Sequence, residues 1–377
     1  MTGGEEQLGF RNCNTESTSG YNPLAMFEKW FSLDEKPYSK EDAAWDAFVA
    51  DHPHGSILQT TNWARLKNRF GWSSHRVWLK KDRRLVAGAQ VLYRSAALGM
   101  FKMGYIPHGP LVDWTDDEQV KVLFNQIDQS VYQHGAGILK LEPLLWQHEI
   151  GEANWSDICR RGQLVTPTDT IQPPRTIMID IRGTEEEILA AMKSKTRYNI
   201  RLSARKDVTV REGTAADIPL FIHLIQVTGK RDNFGTHDPH YYRDVFKLFV
   251  PEHAALLIAE YEGRPLAAAF ITSFGKMATY LYGASGNEER NRMPAYAVQW
   301  AAIRWAKQMG CTQYDLWGIP DAEEEALELE FTQREDGLWP VYRAKRGYGG
   351  RIQRTVGAAD RVYNQRLYRL YKWRRNR

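Results

Sequence analysis

The spacing of apolar and polar residues predicts an α/β unit in the first half of the chain. Apolar residues recur at helical spacing from Ala43 to Val49, whereas later segments alternate in the manner of half-buried strands. The predicted order is two helices, a hairpin, a third strand, a long helix and a final strand. These elements cover residues 42–51, 61–70, 75–80, 85–94, 105–110, 116–133 and 138–142.

The same order of elements is predicted again in the second half of the chain, about 175–180 residues further along. The second set covers residues 215–228, 239–249, 253–261, 265–274, 277–283, 294–309 and 313–317. A supersecondary pattern that recurs at a fixed offset indicates two copies of one structural module. We therefore expect a duplicated α/β fold.

The order within each copy matches the fold of the acyl-CoA N-acyltransferases (GNAT). We predict an α/β protein with two tandem GNAT-like domains, each a mixed sheet flanked by helices. The expected divisions are a flexible leader over 1–40, a first domain over 41–165, a second domain over 166–350 and a basic C-terminal segment over 351–377. Part of that last segment is expected to pack back on the first domain.

The cofactor loop of this fold is not recognisable in either copy. GNAT enzymes hold a pyrophosphate on the backbone N–H groups of a glycine-rich loop that precedes a helix. The equivalent loops, 105–113 and 283–294, lack that motif, and the second carries Glu288 and Glu289 where phosphate would bind. The sequence therefore predicts an acyltransferase frame without its usual cofactor.

Composition narrows the class of protein. The chain has 377 residues, of which 43% are hydrophobic, so a substantial core can form. It contains no apolar run of about 18 residues and no basic, apolar signal at its start, which predicts neither a membrane-spanning helix nor secretion. The three cysteines form no CxxC pair and the ten histidines form no ligand set. We expect a cytoplasmic protein without a metal.

Charge is distributed in blocks. Residues 341–377 carry 12 Lys or Arg and one acid, and residues 193–211 carry seven Lys or Arg and one acid. Between them, residues 321–336 carry eight acids and one arginine. Basic blocks of this kind often contact polyanions, although solvated faces and a frayed basic tail explain them equally well.

Several short stretches together are similar to the Fem-type (FemABX) peptidyltransferases, which build peptidoglycan interpeptide bridges with aminoacyl-tRNA. The stretches are 56–67, 105–113 with 139–143, 195–204, 282–285 and 341–350. The chain resembles the short members of this family, which lack a coiled-coil arm. It departs from the family at His108, where an arginine is usual, and at Ala344, where a phenylalanine is usual, so Tyr342 or Tyr348 is expected to supply the aromatic wall there.

The resemblance implies roles for individual residues. Lys345 takes the position of the catalytic lysine, whose ammonium stabilises the tetrahedral oxyanion, and Glu142 that of a carboxylate that positions the amine or acts as base. Implied contacts to the precursor come from Lys67, Tyr241, Tyr282 and, in place of an arginine, His237. The ordinary alternatives are a surface lysine for Lys345, a strand-end cap for Glu142, a solvated helix lysine for Lys67 and core packing for the tyrosines.

A basic stripe is predicted on the helix that follows residue 193. Arg197, Arg201 and Arg205 recur at a spacing of four residues and therefore share one helical face. With Lys193 and Lys195 they form a candidate tRNA-binding surface, unless they bridge to residues 185–187 or to the acidic block. The C-terminal cations, interleaved with Tyr368, Tyr371 and Trp373, could contact tRNA or anionic lipid, or simply solubilise a helix end.

The expected function is an aminoacyl-tRNA-dependent peptidyltransferase that adds an amino acid to the stem peptide of a peptidoglycan precursor. Aminoacyl-tRNA serves as co-substrate and no cofactor is expected. The precursor is either soluble UDP-MurNAc-pentapeptide or its lipid-linked form, the protein contacts an anionic membrane peripherally at most, and it is a monomer. Two alternatives stay open: an N-acyltransferase that uses acyl-CoA or a carrier-protein thioester, and a non-catalytic RNA-binding protein.

Overall fold

The computed structural model describes residues 37–96, 101–167 and 169–375. The predicted leader over 1–40 therefore lies almost wholly outside the described residues. The first helix begins at Lys40, where the Ser39 side chain accepts a hydrogen bond from the Asp42 amide and the Asp42 carboxylate accepts one from the Ser39 amide. This reciprocal cap fixes the start of the helix.

The first set of elements follows the predicted order of helices, hairpin, strand, helix and strand. The two helices and the hairpin come first along the chain, and a crossover helix then places the fourth strand parallel to the third. The elements are α1 (Lys40–Asp51), α2 (Thr61–Arg69), β1 (Trp72–Lys81), β2 (Arg84–Ala96), β3 (Phe101–Pro107), α3 (Asp117–Gln133), β4 (Ile138–Glu142), α4 (Gln147–Ile150), α5 (Glu152–Arg161) and β5 (Leu164–Val165).

The second set repeats that order inside a larger frame. It contains β6 (Arg175–Asp180), α6 (Glu185–Ala191), α7 (Ser194–Arg205), β7 (Thr209–Glu212), α8 (Ile218–Asp232), α9 (Pro239–Phe249), β8 (Ala254–Tyr261), β9 (Arg264–Phe274), β10 (Met277–Ser285), α10 (Pro294–Gln308), β11 (Gln313–Gly318), α11 (Glu324–Glu330), α12 (Trp339–Lys345) and β12 (Arg351–Arg354). The chain then ends in β13 (Ala359–Val362) and α13 (Gln365–Arg375).

Two mixed sheets result, and their strand orders correspond. The first runs β1-β2-β3-β4-β13-β5 and the second β12-β6-β11-β10-β9-β8-β7. In both, an antiparallel hairpin leads to a third strand that pairs in parallel with the strand after the crossover helix. This agreement confirms the prediction of two GNAT-like copies.

The C-terminal segment is shared between the two sheets. Strand β12 pairs with β6 at the edge of the second sheet, so that sheet extends beyond the boundary expected at residue 350. Strand β13 lies between β4 and β5 in the first sheet. The predicted basic segment over 351–377 is therefore not a separate unit, because backbone pairing assigns one part of it to each domain.

The two domains share a buried apolar core. Trp45 and Trp63, from α1 and α2, pack with Tyr242 and Phe249 of α9 and with Phe270 of β9. The Asn62 side chain also donates a 2.6 Å hydrogen bond to the Leu248 carbonyl, which ties α2 to α9. Burial of large aromatic side chains across the boundary fixes the two domains against each other. Among the helices that the structure describes, none has the length and apolar content needed to cross a bilayer.

Candidate active site

The parallel strands of the second domain separate before they end. Strands β10 and β11 pair only from Met277 opposite Gln313 to Thr279 opposite Asp315. Beyond that point Trp317 adopts a left-handed backbone conformation with a φ of 64°, and the register of β11 shifts against β6. A non-glycine residue in this region marks a local backbone constraint of the type found at functional sites. The result is an opening at the end of the parallel pair.

Lys345, the last residue of α12, fills this opening. Its Nζ donates hydrogen bonds to the carbonyls of Gly318, at 2.9 Å, and Trp317, at 3.2 Å. The residue is only 8% exposed, and burial lowers the pKa of its ammonium to about 7 despite the opposing effect of Asp315. Near neutral pH this lysine therefore exists in both charged and neutral forms. The surface-lysine alternative is wrong.

Asp315 is a further polar residue of the opening that the sequence did not reveal. It is buried, its carboxylate accepts a hydrogen bond from the Trp317 amide at 2.7 Å, and it also bonds the Thr176 hydroxyl. Burial raises the pKa of this carboxyl, while the bond to Thr176, the bond from Trp317 and the charge of Lys345 oppose that rise. The signal in the sequence is an acid inside a short, buried parallel strand, near the carboxyl ends of strands where α/β proteins place ligands.

The aromatic wall beside Lys345 comes from another element than expected. The Tyr280 ring, on β10, has its centroid 6.0 Å from the lysine Nζ. Tyr342 instead turns its hydroxyl to Glu328, at 2.6 Å. Gly283 on the same strand has room only for hydrogen, because a Cβ there would lie 1.6 Å from the Tyr280 hydroxyl oxygen. Gly283 therefore allows the Tyr280 side chain to lie along β10.

The predicted precursor-binding residues meet at the boundary between the domains. Lys67 of α2 donates a hydrogen bond to the Tyr241 hydroxyl at 3.1 Å, and the Tyr282 hydroxyl donates to the same oxygen at 3.2 Å. The His237 ring stacks on Tyr241 with centroids 4.1 Å apart. Three distant segments thus converge on one polar cluster. The register of β10 shifts between Tyr280 and Tyr282, so Tyr282 packs against the core that the two domains share, whereas Tyr280 packs against the core of the second domain.

His237 cannot replace an arginine as a permanent cation. Burial of the ring against the tyrosines and the charge of Lys67 lower the pKa of its imidazole below the usual value, although the residue as a whole is exposed. At pH 7 the ring is therefore neutral and able to donate or accept a hydrogen bond, but it adds no charge. Lys67 is left as the cation of this cluster.

His108 also differs in chemistry from the arginine that is usual at its position. The residue is almost fully buried, its Nδ1 lies 2.8 Å from the Ser56 hydroxyl, and burial lowers its pKa to about 4. Its ring centroid is 5.7 Å from that of Trp317, so it contacts the opening from the first domain. His108 therefore places a neutral ring at this position, where the usual arginine would place a positive charge.

Glu142 ends β4 and is held by three donors. Its carboxylate accepts hydrogen bonds from the Tyr105 hydroxyl at 2.6 Å, the Gln172 amide at 3.0 Å and the Ile171 amide. Burial raises its pKa, against the opposing effect of these bonds. Ile171 and Gln172 belong to the linker between β5 and β6. The next residue of this linker, Pro173, packs against Gly318, where a Cβ would lie 2.4 Å from the proline ring. Glu142 thus positions the linker that reaches the opening at Lys345, and its catalytic role stays a prediction.

The predicted basic stripe lines a shallow groove on α7. Arg197, Tyr198, Arg201 and Arg205 border a space of about 420 Å³, and Tyr198 is 55% exposed between the arginines. The Arg205 guanidinium lies 5.5 Å from the Tyr198 ring centroid. The side chains therefore share one face, as the spacing predicts.

Part of that stripe is engaged within the protein. Arg197 donates to the carbonyls of Ala190 and Met192, and Lys193 forms a 3.3 Å ion pair with Glu328 of the acidic block. Lys195 is exposed near the start of the helix. The alternative of a salt bridge between the stripe and residues 185–187 does not hold for Glu185, because Glu185 pairs with Arg304.

The acidic block 321–336 stabilises the basic segment around Lys345. Glu328 on α11 pairs with Arg346, and Asp321 pairs with Arg354 at 2.7 Å and Arg175 at 3.3 Å. These contacts fix α12 and β12 against the second domain. Within the described residues, no group of three or more His, Cys, Asp or Glu side chains is arranged to hold a metal ion.

Two corresponding mixed sheets, with a buried lysine at the open strand pair of the second, define a tandem acyltransferase-like protein. The fold is similar to the crystal structure of FemX, with a TM-score of 0.79 and 21% identity over 87% of this chain and 98% of that one. It is also similar to a tandem GNAT protein from the clavulanic acid biosynthesis pathway, with a TM-score of 0.50 and 9% identity over 86% and 94% of the two chains.

The FemAB family model matches residues 40–156, 161–264 and 260–375, and the chain therefore belongs to the FemAB family. It is 25% identical to the lipid II:glycine glycyltransferase of Staphylococcus saprophyticus over 400 aligned positions, which cover 87% of this chain and 93% of that protein. The enzyme of the same name from Staphylococcus aureus strain USA300 is 24% identical, with coverages of 86% and 92%. These matches confirm the family resemblance and the prediction of an aminoacyltransferase.

Proposed function

We propose that this protein transfers an amino acid from aminoacyl-tRNA to the stem-peptide amine of a lipid-linked peptidoglycan precursor, in the cytoplasm. The observation that carries the proposal is the buried Lys345 ammonium at the open end of β10 and β11. The names of the glycyltransferase relatives support a lipid-linked acceptor and a role in the interpeptide bridge. No other cofactor is required, because the ester of aminoacyl-tRNA is already activated.

The reaction is aminolysis of an ester. The amine nitrogen attacks the aminoacyl carbonyl carbon, and the new C–N bond leaves a negative charge on the carbonyl oxygen. The C–O bond to the tRNA ribose then breaks, and the proton lost by the amine compensates the departing alkoxide. A buried ammonium aimed at the developing oxyanion stabilises the transition state more than the ground state. Lys345 supplies that donor.

The cluster around Lys67 suits the diphosphate that soluble and lipid-linked precursors share. The ammonium supplies a positive charge, and both Lys67 and the Tyr282 hydroxyl donate to the Tyr241 hydroxyl oxygen, so three groups able to donate hydrogen bonds lie together. Burial keeps the pKa of Tyr282 well above the usual value, so this hydroxyl stays protonated. Tyr282 and Trp317 pack against the same apolar core, and Lys345 bonds the Trp317 carbonyl, so a precursor held at the cluster can extend its peptide towards the opening.

The groove on α7 suits the phosphate backbone of tRNA. Arginines provide sequence-independent attraction to phosphates, and an exposed tyrosine among them offers a face on which an unpaired base can stack. We assign Arg201 and Arg205 the main contacts, since Arg197 and Lys193 are partly engaged within the protein. Lys195 adds charge at the start of the helix.

Acyl-CoA is disfavoured as the donor by the loop that follows β10. The Ser285 amide donates to the Thr228 hydroxyl at 2.8 Å, and the Gly286 amide donates to the Leu266 carbonyl at 2.8 Å. Backbone N–H groups that already have partners are not available to a pyrophosphate. The loop is therefore built as an internal connection.

The test is a transfer assay with purified protein, a pool of charged tRNAs and three potential acceptors or donors. A lipid-linked precursor and UDP-MurNAc-pentapeptide are each incubated with charged tRNA, and a third reaction replaces charged tRNA by acetyl-CoA. We expect a mass gain of one amino-acid residue on the lipid-linked precursor, dependent on charged tRNA. Faster transfer to the soluble precursor would overturn the lipid assignment. Acetylation, or tRNA binding without any transfer, would favour one of the two alternative functions.

A further inference from the structure

The C-terminal helix α13 presents a basic and apolar face to solvent. Leu370 and Trp373 are 56% and 55% exposed, although both are large apolar side chains. On a helical projection they share one face with Arg366 and Arg369, while Lys372 lies at its border. The helix contains five Lys or Arg residues and no acid.

The opposite face of α13 anchors the helix to the first domain. Tyr368 is buried and donates a hydrogen bond to Asp360 of β13 at 3.1 Å, and Asp360 also pairs with the fully buried Lys140 at 2.9 Å. The Tyr371 hydroxyl donates to Asp169 at 3.1 Å, and its ring stacks on Phe101. The outward face is therefore held in a fixed orientation.

We propose that this outward face of α13 docks the protein on an anionic lipid bilayer. An amphipathic helix that lies at a membrane surface combines apolar and tryptophan side chains with flanking Lys and Arg, which attract anionic headgroups. Arg366, Arg369 and Lys372 supply the charge, and Leu370 with Trp373 supply the groups that enter between headgroups. The helix lies on the first domain and takes no part in the Lys345 opening.

The exposed leucine distinguishes this surface from a nucleic-acid surface. The groove on α7 also exposes an aromatic ring among arginines, but its border consists of Ser194, Tyr198 and three arginines and includes no aliphatic side chain. Bases stack on aromatic rings and guanidinium planes, and an exposed leucine adds nothing to that contact. Insertion between lipid headgroups, in contrast, gains from both leucine and tryptophan.

Vesicle sedimentation tests the proposal without any substrate. The full chain is mixed with vesicles of phosphatidylglycerol and phosphatidylcholine, and in parallel with vesicles of phosphatidylcholine alone. We expect binding to the anionic vesicles that weakens with salt. The triple variant Arg366→Gln/Arg369→Gln/Lys372→Gln should bind about a hundredfold more weakly, and Leu370→Ser/Trp373→Ser about tenfold more weakly.

Matched controls keep the result specific to α13. The variant Arg160→Gln/Arg182→Gln/Arg264→Gln removes the same charge from three exposed sites elsewhere, and Leu329→Ser removes an exposed leucine from the second domain. Both should bind vesicles as the wild type does. Thermal melting of every variant identifies any loss of fold. We expect none in the α13 variants, because the substitutions leave the anchoring residues Tyr368 and Tyr371 in place.

Three results would overturn the proposal. Equal binding to neutral vesicles would show general stickiness, and unchanged binding by both α13 variants would place the lipid contact elsewhere. If the triple variant lost affinity for uncharged tRNA while the Leu370→Ser/Trp373→Ser variant bound vesicles normally, the face would be a nucleic-acid surface. Transfer to a soluble acceptor should be unchanged in both α13 variants, so failure here is separate from failure of the proposed enzymatic function.

Discussion

The two domains carry the same parallel strand pair in two different states. In the first domain, β3 and β4 pair in register from Met103 opposite Ile138 to Pro107 opposite Glu142, which is the end of β4. In the second domain, pairing of β10 with β11 stops at Thr279 opposite Asp315, although β11 continues to Gly318. The two copies of the module thus differ: the first is the closed copy, in which the parallel strands pair to their ends, and the second is the open copy, in which they separate.

An acid occupies the last paired position of each parallel strand pair, and the two acids show what the difference provides. Glu142, in the closed copy, is satisfied by a tyrosine hydroxyl and two linker amides. Asp315, in the open copy, lies near a buried lysine that bonds the carbonyls exposed by the separation of the strands. The closed copy therefore fixes the linker, whereas the open copy places a buried lysine at the point where the strands separate.

The largest effect is expected from removal of the lysine in the open copy. Lys345→Ala should lower kcat on the order of a hundredfold to a thousandfold and leave precursor affinity nearly unchanged, because one oxyanion donor is lost. Steady-state kinetics with saturating charged tRNA measure this effect. Lys307→Ala is the matched control, since its ammonium also bonds backbone carbonyls of the second domain, those of Ile181, Arg182 and Gly183. Wild-type turnover in Lys345→Ala would remove the catalytic assignment.

The next largest effect is expected from Lys67, which belongs to the first copy and bonds Tyr241 of the second. Lys67→Ala should raise the KM for the precursor about tenfold to a hundredfold with little change in kcat, since losing a charged hydrogen bond costs roughly 1.5–3 kcal/mol. Kinetics at varied precursor concentration separate the two constants. Lys121→Ala, on the exposed side of α3, serves as control. An unchanged KM would leave Lys67 with a structural role only, as the hydrogen-bond donor to Tyr241.

The pH dependence of kcat tests the charge state of the open copy. Burial lowers the pKa of Lys345 to about 7, so the ammonium is lost as pH rises through that value. If the charged form stabilises the oxyanion, kcat should fall above pH 7, approaching tenfold for each further pH unit. Asp315→Asn should move this fall to lower pH, because the Asp315 carboxylate raises the lysine pKa. A rate that climbs through pH 7 would instead identify Lys345 as a base.

Glu142→Gln tests whether the closed copy acts only as a scaffold. The substituted amide cannot accept all three donors, so the free energy of unfolding should fall by about 1–3 kcal/mol, with a modest loss of kcat. Denaturant unfolding and kinetics are measured on the same preparation. A loss of kcat above a hundredfold with unchanged stability would support the predicted role of Glu142 as base.

The smallest effects are expected on α7, outside both strand pairs. Arg201→Ala and Arg205→Ala should each weaken binding of different tRNAs alike and reduce the slope of log K against log salt by about one. Filter binding at several salt concentrations gives the slope. Arg160→Ala, an exposed arginine of the first domain, should leave it unchanged.

The sequence predicts strand and helix order well where local pattern decides the structure. The hairpins, both crossover helices and the arginine face of α7 follow from periodicity, and α9 matches its predicted bounds. The convergence of Lys67, His237, Tyr241 and Tyr282 was implied by family resemblance alone, because these residues lie on three separate segments.

Long-range effects explain what the sequence did not reveal. Strand β13 has only four residues, Ala-Asp-Arg-Val, and its place depends on β4, more than two hundred residues earlier in sequence. Lys345 lies in a basic stretch typical of an exposed tail, and its burial depends on the turn at Trp317 and on Asp315. The left-handed backbone conformation of Trp317, two residues after Asp315, has no local sequence pattern from which it could be predicted.

The position of β13 has a consequence for synthesis of the chain. Its neighbours β5 and β4 emerge from the ribosome roughly 190 and roughly 220 residues earlier, which corresponds to about 10–45 s at ordinary rates of translation. During that interval the edge of β4 has no neighbour on this side, and such unpaired strand edges are prone to pair with other chains. The second domain, whose strands all lie between β6 and β12, can complete its sheet first. The first domain is therefore synthesised first, but its sheet is completed last.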